Sequence, residues 1–221
     1  MLAQISEIFK SIQGEGVYQG VEQVFVRFYG CDLTCSFCDT DLYNFTELSI
    51  EDVMCQIKER EPYHSVSLTG GEPLLQAEFV AKLAKELKGI GSKVYLETNG
   101  VLFAKLKKVI KYVDIISMDF KLPSSTGDSA VWFEHKEFLK LASAKDVFVK
   151  AVIGKDTTRK DVLTAIDILK DQKKKVPFIL QPEHPYEDQL QEKLELFQKA
   201  CQTHALDVKI IPQIHKKLGI R

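Results

Sequence analysis

Two hydrophobic periods alternate along almost the whole chain, and this alternation limits the folds open to it. Runs rich in β-branched and aromatic residues, as strands require, stand at residues 23–29, 65–68, 93–97, 113–118, 147–153, 176–180 and 208–211. Helical patterns lie between them. Ser49 reads as an N-cap with Asp52 closing a capping box, which opens a helix to about residue 60. Residues 78–88 place Phe79, Leu83 and Leu87 on one face, with Gly89 as the stop, and similar patterns cover 102–111, 130–142, 158–170 and 187–203. Strands joined through helices of this length need crossover connections, which build a parallel sheet with helices outside. The expected fold class is α/β. Six or seven such units are too few for a closed eight-stranded barrel, so the expectation is an open, partial barrel of (β/α)6 type. No linker, repeat or break in composition interrupts the pattern, so residues 1–221 read as one domain.

Charge excludes some partners. Thirty Lys and Arg against 31 Asp and Glu leave a formal charge of −1, so no basic excess points to nucleic acid or an anionic membrane. The first ten residues carry Glu7 inside what would have to be a signal core, and no apolar run approaches the ~18 residues of a membrane span. A cytoplasmic, reducing location is expected, where thiols stay free.

In α/β folds the functional groups collect where strands end at their carboxyl edge. Gly30 follows the first strand-like run and leads into CDLTCSFCDTD, which holds three of the five cysteines, Cys31, Cys35 and Cys38, spaced C-x3-C-x2-C. Three readings compete. They could be buried core thiols, though the loop is polar. A closed zinc site needs a fourth ligand, and no second C-x2-C or H-x3-H pair supplies one. A 4Fe-4S cluster held by three thiolates would leave one iron open to a non-protein ligand. Thr69, Gly70, Gly71, Glu72 and Pro73 follow the second run, Glu97, Thr98, Asn99 and Gly100 the third, and Asp119, Phe120 and Lys121 the fourth. The glycine pair would let the backbone approach a ligand, unless it is only a tight turn. On the first run, Phe25, Arg27 and Tyr29 share a face, which suits a pocket wall better than a solvated ion pair.

These residues carry a resemblance. C-x3-C-x2-C after one strand and GGEP after the next resemble the radical S-adenosylmethionine superfamily. Within it, residues 9–16 (FKSIQGEG), Arg27, the CDT at 38–40, TGGEP, ETNG and a late LQP resemble the 7-carboxy-7-deazaguanine synthases of queuosine and related deazapurine biosynthesis. The matches run in order from residue 9 to about 182.

The resemblance implies that Cys31, Cys35 and Cys38 ligate a [4Fe-4S] cluster whose fourth iron is chelated by S-adenosylmethionine. It implies reductive cleavage of that cofactor to a 5′-deoxyadenosyl radical, with the protein supplying position and exclusion of water. Phe37, Cys38, Asp39, Gly71, Glu72, Asp119, Phe120, Lys121 and Gln181 would line the S-adenosylmethionine site, Glu72 accepting its ammonium group. The implied substrate is 6-carboxy-5,6,7,8-tetrahydropterin, contracted to 7-carboxy-7-deazaguanine with loss of ammonia. Ile12, Gln13, Gly14, Glu15, Arg27 and Thr69 would bind it, Arg27 gripping the carboxylate. The resemblance also implies Mg2+ on Thr40, completed by substrate oxygens and waters, a flavodoxin or ferredoxin as reductant, and a homodimer.

One motif departs from the family: Asp119, Phe120 and Lys121 stand where many members carry Ser-Pro-Lys. A D-x-K pattern also resembles glycyl-radical activating enzymes, and that activase reading stands as the alternative, beside a non-catalytic zinc-stabilised binding module. Cys55 and Cys201 read as structural thiols, and Trp132 and Phe133 as helix packing. Among the five histidines (64, 135, 184, 204, 215) no ligand spacing is evident, and His184 alone falls near the rim.

Overall fold

The computed structural model describes residues 1–38, 40 and 44–220. Among these residues nine strands form one sheet: β1 (Leu2–Ile12), β2 (Glu22–Phe28), β3 (Thr46–Ser49), β4 (Ser65–Gly70), β5 (Lys93–Thr98), β6 (Ile115–Asp119), β7 (Asp146–Ile153), β8 (Phe178–Pro182) and β9 (Val208–Ile210). Their order is β3-β1-β2-β4-β5-β6-β7-β8-β9, so the sheet is open, with β3 and β9 at its edges. From β2 to β9 every pairing is parallel, as the crossover argument required.

Two strands were not expected. β1 pairs antiparallel with both β2 and β3. Its alternation is broken by a register shift between Ile5 and Glu7, so the residues that face the core change parity part-way along. β3, TELS, carries too little apolar side chain to signal a strand and is held by pairing to β1.

The helices are α1 (Ile50–Lys58), α2 (Ala77–Gly89), α3 (Phe103–Val109), α4 (Pro123–Thr126), α5 (Trp132–Ala142), α6 (Arg159–Lys170), α7 (Gln191–Thr203) and α8 (Ile214–Leu218). The Ser49–Asp52 capping box opens α1, each side chain accepting from the other's backbone N–H. Phe79, Leu83 and Leu87 of α2 are buried as their spacing predicts. Gly89 does not stop that helix. It is the last helical residue, and the chain reverses at Gly91, whose φ of +79° needs a glycine. Phe133 is no packing residue: it is 65 % exposed on α5 and meets Phe103 edge to face, while Trp132 does pack on the core.

Strand alternation sorts the chain into two interiors. Val24, Val26 and Phe28 of β2, Val66 and Leu68 of β4, Val94 and Leu96 of β5, and Ile116 and Met118 of β6 pack in one apolar cluster with helix residues such as Leu83, Phe138 and Ile166. Each such fully buried side chain contributes about 2 kcal/mol. The intervening residues face the concave side. Low in it, Tyr95, Ile115, Phe148 and Ile179 form a separate apolar layer, against which Tyr18 packs. Gly16 makes that plug possible, because its φ is +64° and a Cβ there would lie 2.3 Å from the Phe148 ring.

Candidate active site

Above the plug, the same concave face opens into a cavity of about 710 Å³. Its wall is built from alternate strand positions: Phe25 and Arg27, Thr69, Glu97, Ser117 and Asp119, Lys150 and Val152, and Gln181. Cysteine-loop residues and the C-terminal segment complete it.

One wall is a hydrogen-bonded set centred on Glu97. Gln13 Nε2 donates to Glu97 Oε1 at 2.6 Å, and Thr69 Oγ1 donates to Glu97 Oε2 at 2.7 Å. Gln13 is held on both sides, its amide also donating to Gln23 and its oxygen accepting from the backbone N–H of Glu15. Arg27 Nε donates to Glu7 Oε1 at 2.8 Å, and its guanidinium lies 5.6 Å from the centroid of Phe9. Thus Arg27 is both ion-paired and in the cavity wall.

The adjoining strands, β6 and β7, carry charge. Lys121 Nζ donates to Asp119 Oδ2 at 2.7 Å, and Lys150 Nζ donates to the same oxygen at 3.0 Å and sits 2.7 Å from Glu15 Oε2. Burial pushes both carboxyls up, but the neighbouring ammonium groups outweigh it and hold Glu15 and Asp119 below their ordinary range. Burial likewise lowers Lys150, yet Asp119 and Glu15 raise it further, so it stays charged. Two buried oxygens in this wall, Asp119 Oδ1 and Gln181 Oε1, have no hydrogen-bond partner among the described residues. Buried acceptors of this kind are open to a donor from a ligand.

The cysteine loop crosses the mouth. Cys31, Cys35 and Cys38 are free thiols that line the cavity, with Phe37 and Thr40 beside them. Thr34 hydrogen-bonds Asp128, and Ser36 bonds the backbone of Ser125 and Thr126, which seats the loop on α4. Burial pushes the Cys35 thiol up to about 12, so metal must displace its proton on binding. No three His, Cys, Asp or Glu side chains among the described residues are arranged around a single metal ion. The three thiols nevertheless share one cavity, as one sulfur per iron of a cluster requires.

The glycine pair lines the cavity and also lets two stretches of backbone meet. A Cβ on Gly70 would lie 2.1 Å from the carbonyl oxygen of Phe28, and one on Gly71 would lie 2.1 Å from that of Gly30. These glycines let the end of β4 press against the backbone leading into the cysteine loop, where Glu72 N donates to Gly30 O at 2.8 Å.

Of the expected site residues, Ile12, Gln13, Gly14, Glu15, Arg27, Phe37, Thr40, Thr69, Gly71, Asp119, Lys121, Gln181 and the three cysteines all line the cavity. Two do not. Glu72 is fully buried behind the wall, its carboxylate accepting from Leu74 N, Thr98 Oγ1 and Asn99 N. Phe120 points to the outer core, stacked on His135 at 4.8 Å, because it follows inward-facing Asp119 on the strand. Asp39 lies outside the described residues. Cys55 is exposed on α1 and is no core thiol, whereas Cys201 is buried.

Sequence reasoning assigned no role to Glu97 or Lys150, nor to the C-terminal His215 and Lys216, all of which line the cavity. Lys150 had a signal, as the one charged residue inside the apolar run VFVKAVI. His215 had none. It reaches the site because Ile214 N donates to Gly14 O at 3.0 Å and Gln213 hydrogen-bonds Glu15, folding the end of the chain over the first hairpin. His184 also lines the cavity, paired with Glu187.

Residues 25–197 match the Radical SAM superfamily. Along 98 % of its length the chain is 36 % identical to a 7-carboxy-7-deazaguanine synthase of Geobacter sulfurreducens, covering 97 % of that protein. The chain belongs to the 7-carboxy-7-deazaguanine synthase family. A second synthase of this name, from Archaeoglobus fulgidus, is 37 % identical with complete coverage of both chains. The crystal structure of QueE from Escherichia coli shares the synthase fold, with a TM-score of 0.67 at 20 % identity over 95 % of this chain and 94 % of that one. A domain of a pyruvate-formate lyase-activating enzyme from Bacteroides vulgatus shares it less closely, at 0.54 and 17 % over 66 % of this chain and 98 % of that one.

Proposed function

We propose that this synthase contracts the ring of 6-carboxy-5,6,7,8-tetrahydropterin to 7-carboxy-7-deazaguanine with release of ammonia, as a carbon–nitrogen lyase of queuosine or related deazapurine biosynthesis. The observation that carries this reading is the composition of this one cavity. A fixed donor and acceptor set, Gln13, Glu97, Thr69 and Arg27, shares it with three free thiols and the Asp119–Lys121 pair. At about 710 Å³ it has room for a substrate beside a cofactor.

The residues fit the groups that the family uses. Three thiols without a fourth suit a [4Fe-4S] cluster with one iron left for S-adenosylmethionine, and the unpartnered Asp119 Oδ1 and Gln181 Oε1 suit hydroxyl or amine donors of that cofactor. Cluster and cofactor together supply one-electron chemistry. The chain does the rest. Glu97 and Gln13 orient the amino-pyrimidine edge, while Arg27, held by Glu7, offers its remaining N–H groups to the substrate carboxylate. The aromatic plug of Tyr18, Tyr95 and Phe148 closes the floor to water. Thr40 would contribute a hydroxyl to Mg2+, the other ligands being substrate oxygens and water.

This reading takes residues 1–221 as one domain, acting in the cytoplasm as a homodimer and reduced by a flavodoxin or ferredoxin. No helix among the described residues is long and apolar enough to cross a membrane. The test is anaerobic turnover. Reconstituted, reduced protein given S-adenosylmethionine and carboxytetrahydropterin should release 7-carboxy-7-deazaguanine, detected by mass. Absence of that product from protein loaded with about four irons would refute the assignment, and a colourless zinc-loaded protein would point to the binding-module reading.

A further inference from the structure

Lys150 lies on β7 directly across from Asp119 of β6, and its side chain is 12 % exposed. Its ammonium is shared between two acids of different origin. Glu15 Oε2, at 2.7 Å, comes from the loop after β1 that carries Gln13, and Asp119 Oδ2, at 3.0 Å, comes from the wall that carries Lys121. Lys121 bonds Asp119 and lies 5.3 Å from the centroid of Phe37. Lys150 therefore ties the loop after β1 to the β6 part of the cavity wall.

We infer that Lys150 is a positioning residue for both ligands, holding Glu15 as an acceptor for the pterin and Asp119 as an acceptor for S-adenosylmethionine. The inference rests on the ring-contraction reading above. Around Lys150 the charged groups are Glu15, Asp119, Glu97 and Lys121. With Lys150 they form three acids against two ammonium groups, and without it three against one. Water cannot make up that deficit at side chains only 10 % and 22 % exposed. Loss of the amine then makes both Glu15 and Asp119 easier to protonate. A protonated carboxyl presents an O–H where each ligand needs an oxygen. Lys150 itself need touch neither ligand.

The test measures binding, not turnover. Cluster-reconstituted protein is titrated calorimetrically under anaerobic conditions with S-adenosylmethionine, and separately with carboxytetrahydropterin, between about pH 6.5 and 8.5. Lys150→Met and Lys150→Gln should weaken both ligands about tenfold or more at the acid end, as expected for lost charge-assisted hydrogen bonds. The deficit, taken against the parent protein at the same pH, should shrink as the pH rises and the two carboxyls ionise. Lys150→Arg should keep both affinities within about threefold, since it restores the charge. Should Lys150→Met fail to fold, Lys150→Gln, which keeps a donor between the acids, carries the same measurement. Loss of one ligand only, loss of neither, or a deficit equal at every pH overturns the inference. A parent protein that binds S-adenosylmethionine but no pterin overturns the ring-contraction reading instead.

Discussion

Glu72 Oε2 accepts the backbone N–H of Asn99 at 2.8 Å, and this bond ties the loop after β4 to the loop after β5. Asn99 in turn donates from Nδ2 to Asp32 Oδ1 at 2.7 Å, which brings the cysteine loop into the same frame. Glu72 thus organises three strand ends from behind the cavity wall.

Burial raises the Glu72 carboxyl from 4.5 to about 7 against the pull of its backbone donors. Between those values the folded chain holds a proton that the unfolded chain has released. Stability from Glu72 is present below the unfolded value and is lost as the pH climbs through the folded one, by about 3 kcal/mol in all. Urea unfolding at pH 5, 6 and 7 should show a decline in the parent that is reduced in Glu72→Gln. Parallel curves for the two proteins would count against this account.

Gly71→Ala places a methyl 2.1 Å from the Gly30 carbonyl oxygen, a backbone atom that cannot swing aside. The expected cost is about 1–3 kcal/mol, together with lower iron content after reconstitution, because the displaced segment leads into Cys31. Gly20→Ala, which meets nothing within 4 Å but has a φ of +89°, should lower stability without changing iron content.

Serine in place of Cys31, Cys35 or Cys38 should each abolish the brown colour of the reconstituted protein, since hydroxyls are poor cluster ligands. Cys55→Ser should leave iron content and stability unchanged within about 0.5 kcal/mol, as Cys55 is exposed. Iron and sulfide assays on the four variants check both halves.

Arg27→Lys keeps charge but loses the fork that can hold Glu7 and a substrate carboxylate together. A fall of about tenfold or more in kcat/KM is expected. Glu97→Gln should raise KM, because Gln13 and Thr69 both donate to that carboxylate and a neutral amide holds them less well. Steady-state kinetics with the carboxypterin resolve the two effects.

Most of the scaffold could be read from periodicity. The seven parallel strands and the Ser49 and Thr158 helix starts follow from patterns local to each segment. β1 escaped because one register shift spoils its alternation, and β3 because its strand character resides in its partner. Spacing and position at strand ends also marked the cysteines and the glycine pair as a site, and the family resemblance added the SIQGEG segment. Motif membership could not say which way a side chain turns. Glu72 and Phe120 belong to the motifs yet face away from the cavity, while Lys150 and His215 lie outside them and face it.

The amino-acid sequence by itself determined the α/β class, the run of parallel strands and the three thiols on one loop, all of which depend on residues close in the chain. Tertiary structure alone decided the pairing of charges. Lys150 meets Glu15 from 135 positions away, across the sheet, and Gln213 reaches the same carboxylate across 198. No local pattern encodes such contacts. They exist because the fold brings the loop after β1 against β7 at one cavity, where burial makes each charge depend on its partner.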